Sequence, residues 1–224
     1  MAINDSLVDD FGAGVEYLGA DFNFTPYHRL QHHISIPDAR DKLAAGLQYY
    51  LGDRAKWLPA YDEVADWLSD NQGKGLLCVG LYGLGKTLIC QYILPVIIHR
   101  YTNKVPNCYT AIEMTRQIDD ILKKSLVFID DVGTEPIEIN TYGVRRVPFN
   151  ELCDACERRG SLLVLNTNLR TDMERLKEDS PAGRRGDPDP RRSPSFEERY
   201  GLRTLDRLRA LTRLVVFSGQ SMRG

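Results

Sequence analysis

Apolar residues along this chain fall into two patterns. Early on they recur at helical spacing: Leu43, Leu47 and Leu51 at every fourth position of residues 38–51, and Val64, Trp67 and Leu68 within residues 61–68. Each series lines one helical face. Later the apolar positions gather into short unbroken runs, at 76–79 and 126–129 and within the segments Ser161–Leu165 and Arg213–Phe217. Runs of that length without polar alternation are the pattern of strands buried on both faces, as in a parallel sheet. Residues 105–113 predict a further strand. Helical patterns separate the strands, at 88–94 (which Pro95 ends or kinks), 118–124, 149–159 and 202–211. Asn71-Gln-Gly-Lys-Gly75 reads as a turn into the first strand. The prediction is an α/β fold, a three-layer sandwich on a parallel sheet, with a short helical N-terminal extension.

Composition narrows this only modestly. A 224-residue chain with 42% hydrophobic and 27% charged residues suits one α/β domain with appendages. We expect an extension over 1–70 and the main domain over 71–224. Residues 1–26 read as a loosely ordered acidic leader, and 178–195, rich in proline, glycine and charge, as a mobile loop. No apolar run approaches the roughly 18 residues of a membrane span. The first residues lack the basic-then-apolar pattern of a secretion signal, so a cytoplasmic location and no membrane partner are expected.

The five cysteines are an odd number and argue against a disulfide framework. Cys153 and Cys156 have CxxC spacing but no second pair or nearby histidine, so they are read as two helix residues facing one side. The cluster His28, His32 and His33 is read as a solvated or partner-facing patch.

Charge is uneven. Residues 1–70 hold 5 Lys/Arg against 12 Asp/Glu, while residues 184–224 hold 10 against 5. The basic end suits either nucleic acid, a nucleotide across a subunit interface, or an arginine-rich solvated surface.

The chemistry begins at Gly80-Leu-Tyr-Gly-Leu-Gly-Lys-Thr87, which fits G-x-x-x-x-G-K-[ST] with an apolar run before it and a helical pattern after it. Glycines allow the tight turn that aims backbone N–H groups at phosphate oxygens, and the helix N-terminus adds partial positive charge. Gly80, Tyr82, Gly83, Leu84, Gly85, Lys86, Thr87 and Leu88 are therefore candidate nucleotide-binding positions. Lys86 would reach the β- and γ-phosphates and Thr87 a Mg²⁺ ion. ATP and Mg²⁺ are the expected cofactors.

A second signal is the run Leu126-Val-Phe-Ile-Asp130-Asp131, a Walker B pattern. It places Asp130 at the carboxyl end of a strand, where it can hold Mg²⁺, and Asp131 where it can orient an attacking water. Asn168, after the 161–165 run, is a candidate for contact with the γ-phosphate or that water, with Asn166 and Thr167 as alternatives. Arg203 and Arg207 stand four apart on one helical face, suited either to phosphate oxygens of a neighbouring subunit's nucleotide or to surface ion pairs.

Taken in this order, the segments Gly80–Thr87, Phe128–Glu135, Leu163–Leu169 and Tyr200–Leu208 resemble those of AAA+ ATPases of the DnaC/IstB type, helicase loaders and transposition helper ATPases. The ending Phe217-Ser-Gly-Gln-Ser-Met-Arg223 resembles the family's closing pattern, and the match spans roughly residues 72–223. The resemblance implies a P-loop NTPase of AAA+ class without a full C-terminal lid. It makes Lys86 and Thr87 Walker A, Asp130 Walker B, and Asp131 the catalytic carboxylate where many relatives carry glutamate. Asn168 becomes sensor 1, Arg207 the arginine finger, and Arg223 a candidate sensor 2. It implies slow Mg-dependent ATP hydrolysis at the interfaces of a ring or spiral homo-oligomer. Implied partners are single-stranded DNA and a replicative helicase, gripped by residues 1–70, or a transposase; a nucleotide-binding scaffold with little hydrolysis is a further alternative.

Overall fold

The computed structural model describes residues 32–171 and 194–219, with Ala13 and Glu16 besides. Most of the acidic leader, His28, most of the expected 178–195 loop, and Arg223 lie outside the described residues. Five strands form one sheet: β1 (Gly75–Gly80), β2 (Asn107–Thr110), β3 (Leu126–Val132), β6 (Leu162–Thr167) and β7 (Thr212–Phe217). They lie in the order β2-β3-β6-β1-β7, and every pairing is parallel. All five carboxyl ends therefore meet at one edge of the sheet.

Alternate residues of each strand face opposite layers. Leu76, Cys78, Phe128, Val164 and Val215 pack under α1 (Ala39–Leu51), α2 (Pro59–Ser69) and a π-helical turn, Leu88–Ile93, that runs into α3 (Leu94–Thr102). Leu77, Val79, Val127, Ile129, Leu163 and Leu165 pack under α4 (Ala111–Arg116), α5 (Ile118–Ile121), α6 (Pro148–Arg159), α7 (Phe196–Tyr200) and α8 (Leu202–Leu211). This is a three-layer α/β sandwich with a parallel sheet at its centre. Cys153 and Cys156 are buried on the inner face of α6. Among the described residues, no helix is long and apolar enough to cross a membrane.

Several predicted elements differ from those observed. The helix after the glycine loop does not stop at Pro95. It continues to Thr102, with Pro95 in the first turn of α3, where a missing N–H is tolerated. The strand expected over 105–113 is only Asn107–Thr110, because Thr110 and Glu113 close a capping box that turns the chain into α4. The helix expected over 118–124 ends at Ile121. Two elements carried too little pattern to predict: the hairpin β4 (Ile139–Thr141) with β5 (Val144–Arg146), and α7, opened by a capping box between Ser195 and Glu198. The hairpin turns on Tyr142 and Gly143, both left-handed, as a two-residue type I′ turn demands.

One buried amide ties the start of the described chain to the sheet. Asn71 accepts the N–H groups of Ile34 (2.8 Å) and Gly73 (3.2 Å). It donates to the carbonyls of His32 (2.9 Å) and Lys74 (3.0 Å). Trp67 Nε1 donates to the carbonyls of Lys74 and Gly75. Residues 32–36, α2 and the approach to β1 are thus fixed together, and α1 and α2 share one core with the sheet.

Gly75, where β1 begins, leaves no room for a side chain: a Cβ there would lie 1.9 Å from the Leu163 carbonyl oxygen, a backbone atom of the paired strand β6. Gly75→Ala should lower the unfolding free energy by about 3 kcal/mol in urea titration. Gly143→Ala, left-handed but with no atom within 4 Å of the new Cβ, should cost only about 1 kcal/mol. Equal costs would refute the account of β1–β6 packing.

Candidate functional site

The glycine loop leaves β1 at the carboxyl edge of the sheet. Gly80, Gly83 and Gly85 have φ of 146°, 80° and 81°, values that side-chain-bearing residues rarely adopt. Gly80 is doubly constrained, since a Cβ would also lie 2.2 Å from the Phe217 carbonyl oxygen of β7. The loop bends around a cavity of about 540 Å³ lined by Leu51, Tyr82, Gly83, Leu84, Gly85, Lys86, Thr87, Leu88, Tyr92, Asp131 and Asn168.

Lys86 is 5% exposed. Its Nζ donates to the carbonyls of Gly80 (2.9 Å) and Leu81 (2.8 Å) and to Asn168 Oδ1 (2.7 Å). All three acceptors are neutral, so the ammonium charge is not cancelled by its hydrogen-bond partners. Burial lowers its pKa, while Asp131 and Asp130 among its neighbours act in the opposite direction. Asn168 bridges charge to charge: its oxygen takes Lys86 and its Nδ2 donates to Asp131 Oδ1 at 2.9 Å. Only this amide orientation satisfies both partners.

The two aspartates lie inside β3 rather than beyond its end, and the register of β3 against β6 shifts between Ile129 and Val132. Asp131 sits at that irregularity with φ of 56°, a conformation that persists in a non-glycine residue only when its surroundings enforce it. The enforcement is visible. Asp131 N–H donates to Asn166 Oδ1 (3.1 Å), and its carbonyl accepts the Thr134 hydroxyl (2.8 Å) and N–H (3.2 Å).

Asp130 is buried beneath the cavity. Asn166 Nδ2 donates to its carboxylate, as does the Thr87 hydroxyl. Burial raises its pKa against these hydrogen bonds. The Thr87 hydroxyl and the Asp130 carboxylate stand together as oxygen donors of the kind Mg²⁺ takes, and the cationic Lys86 beside a glycine loop suits a polyphosphate.

The structure therefore separates the three candidates at the end of β6 and just beyond it. Asn168 borders the cavity, Asn166 is buried against Asp130 and Asp131, and Thr167 donates to the Val132 carbonyl. Leu51, at the end of α1, and Tyr92, in the π-helical turn, line the cavity without having been expected. Tyr92 stands five positions after Thr87 on the same helix, a spacing that could have suggested it; Leu51 carries no local signal. Gly80 and Asp130 flank the cavity without lining it.

Arg207 is elsewhere. Its Nε donates to Glu157 Oε2 (2.8 Å) and its Nη1 pairs with Asp154 Oδ1 (2.5 Å), both on α6. The hydrogen bond to Glu157 chiefly raises its pKa. Arg203, one turn earlier, is exposed.

A glycine loop after β1, paired aspartates on β3 and a polar amide on the intervening β6 thus meet at the carboxyl edge of one parallel sheet in a three-layer α/β sandwich. In the order of these motifs the chain resembles the DnaC/IstB type. Among solved structures it is similar to a crystal structure of DnaI, at 19% identity over 89% of this chain and 95% of that one, with a TM-score of 0.46. It is likewise similar to a crystal structure of the DnaC helicase loader, at 13% identity over 86% of this chain and 97% of that one, also with a TM-score of 0.46. No family model and no curated protein matches the sequence.

The two asparagines should respond unequally to removal. Asn166→Ala removes a donor from the buried Asp130 carboxylate and the acceptor of the Asp131 N–H and should cost about 2–3 kcal/mol of stability. Asn168→Ala, at the half-buried cavity wall, should cost under about 1 kcal/mol. Urea unfolding of both variants checks this, and a larger loss at Asn168 would contradict the assignment of Asn166 as the buried brace.

Proposed function

We propose that this chain is an Mg-dependent ATPase that acts as a helicase loader in DNA replication. The observation that supports this most is the Lys86–Asn168–Asp131 series beside the Thr87–Asp130 pair. It sets a cation for phosphate, a neutral amide and a carboxylate around one cavity. In this reading the glycine loop and Lys86 hold the β- and γ-phosphates of ATP. Thr87 and Asp130 hold Mg²⁺, which supplies charge neutralisation at the phosphates when bound. Asp131, kept in place by Asn166, accepts a proton from the attacking water, and Asn168 orients that water or the γ-phosphate. Leu51 and Tyr92 are apolar and aromatic surface for the base, and Arg223 is a candidate contact to the phosphates.

The loader reading follows the order and spacing of the four motif segments. ATP would be hydrolysed between subunits of a ring or spiral, with Arg207 of one subunit approaching the γ-phosphate held by the next. To do so its guanidinium must leave or share Asp154 and Glu157. Residues 1–70 would engage a replicative helicase and the ATPase domain single-stranded DNA, in the cytoplasm.

Lys86→Ala should abolish ATP binding in equilibrium titration. Asp131→Asn should preserve binding and lose turnover. Arg207→Ala should leave affinity within about twofold and slow turnover of the assembled protein by roughly a thousandfold. Unchanged turnover in the Arg207 variant would remove it from the interface role. Affinity capture from native lysate on the Asp131→Asn protein held in ATP addresses the partner. A hexameric helicase supports the loader reading, and a transposase would replace it with the transposition helper.

A further inference from the structure

Glu135 is 2% exposed, a buried carboxylate to which the reaction above gives no part. It lies four residues beyond Asp131, where the chain leaves β3 through Gly133 (φ 110°) and turns back. Glu135 Oε2 accepts the Gly133 N–H at 2.8 Å. Its Oε1 accepts the hydroxyl of Tyr200, the last residue of α7. Arg199 Nη2 donates to the Glu135 main-chain carbonyl, and Arg199 Nε donates to Tyr200 Oη at 3.1 Å. Burial and the neighbouring Glu135 both push the Tyr200 phenol upward in pKa, so it remains a neutral donor. Its ring is held by Phe149 and Phe196, with centroids 4.5 and 4.7 Å away.

The same short helix is fastened to the other wall of the cavity. Beyond Asn168, the Arg170 carbonyl accepts the Phe196 N–H at 2.8 Å, and the Thr171 hydroxyl donates to Glu197 Oε1 at 2.8 Å. So α7 is bound to the exits of both strands whose residues border the cavity: β3 through Glu135, and β6 through Arg170 and Thr171. One residue later, Gly201 (φ 85°) opens α8, which carries Arg203 and Arg207.

We propose that the Glu135–Tyr200 bridge is a positioning device that carries nucleotide occupancy at Asp131 and Asn168 to the arginine helix α8. This rests on the reading that the cavity binds ATP and that α8 acts at a subunit interface. The physical case is one of chemistry and topology. A buried carboxylate is costly unless its oxygens are hydrogen-bonded. Here they point in two directions, one to the Walker B exit and one to α7. A shift of Asp131 toward a γ-phosphate and its water pulls on Gly133 and Glu135 within four residues. Tyr200 moves with Glu135, and the single residue Gly201 passes the motion into α8. An apolar residue at 135 could fill the space but could not transmit a directional pull.

Hydrogen–deuterium exchange on the full chain, with and without a non-hydrolysable ATP analogue and Mg²⁺, tests this. In the unmodified protein the analogue should slow exchange in residues 80–88 and also in 202–211. Tyr200→Phe keeps the ring and removes only the donor. It should keep the slowing at 80–88 and lose that at 202–211. Glu135→Gln, whose single amide oxygen can accept only one of the Gly133 N–H and the Tyr200 hydroxyl, should weaken the response at 202–211, and Glu135→Leu should abolish it. If 202–211 responds in Tyr200→Phe and Glu135→Leu as strongly as in the unmodified protein, or fails to respond in the unmodified protein while 80–88 does, the bridge carries nothing and the nucleotide reading stands. If 80–88 shows no slowing in the unmodified protein, the nucleotide reading falls and the proposed relay falls with it.

Discussion

The site depends on one amide. Asn166 is buried on β6 between the two aspartates of β3, giving its Nδ2 to the Asp130 carboxylate and its oxygen to the Asp131 N–H. That pair of hydrogen bonds holds Asp131 in a left-handed conformation that an aspartate does not adopt cheaply. It also holds a carboxylate under a cavity that burial would otherwise bias toward its neutral form. The turn at Asp131 breaks the regular pairing of β3 and β6, and the freed carboxylate reaches Asn168. Strand pairing, backbone strain and the direction of the catalytic candidate are therefore one arrangement.

Around that brace the structure tolerates two buried charges of opposite sign. Lys86 and Asp130 lie in the same low-dielectric region, and each is disfavoured in its charged form by desolvation while the other offsets part of that cost. No direct ion pair joins Lys86 to either aspartate among the described residues. The neutral amide of Asn168 stands between Lys86 and Asp131. A direct pair would spend the ammonium on the carboxylate; the amide separates the two charges at hydrogen-bonding distance and leaves both facing the cavity.

Much of this was legible in the chain. Unbroken apolar runs identified four of the five sheet strands, because a strand buried on both faces has no polar side to alternate with. The glycine loop was legible because three positive-φ positions and a backbone packed against its neighbours exclude almost every other residue. The misplaced boundaries fall where a local hydrogen bond overrides the pattern: the Thr110–Glu113 capping box cut β2 short, and the wide π-helical turn let the following helix accept Pro95. The hairpin at 139–146 and α7 were missed because each is too short for a period to show.

What the sequence by itself determined is the chemistry within single segments: which residues can form a tight glycine turn, which strands are buried, and where carboxylates and amides stand along the chain. What only the tertiary structure decided is which of those groups meet. Asn166 and Asn168 are two positions apart and chemically identical, yet one is a buried brace and the other a cavity wall, because the turn at Asp131 sets which of them each aspartate faces. Leu51 entered the cavity from α1, Arg207 was found paired with α6, and Glu135 was found joined to Tyr200 across 65 positions. A local pattern holds information over a turn of helix or a strand. Contacts between segments that distant are fixed by the packing of the whole sheet, and no short stretch of the chain encodes them.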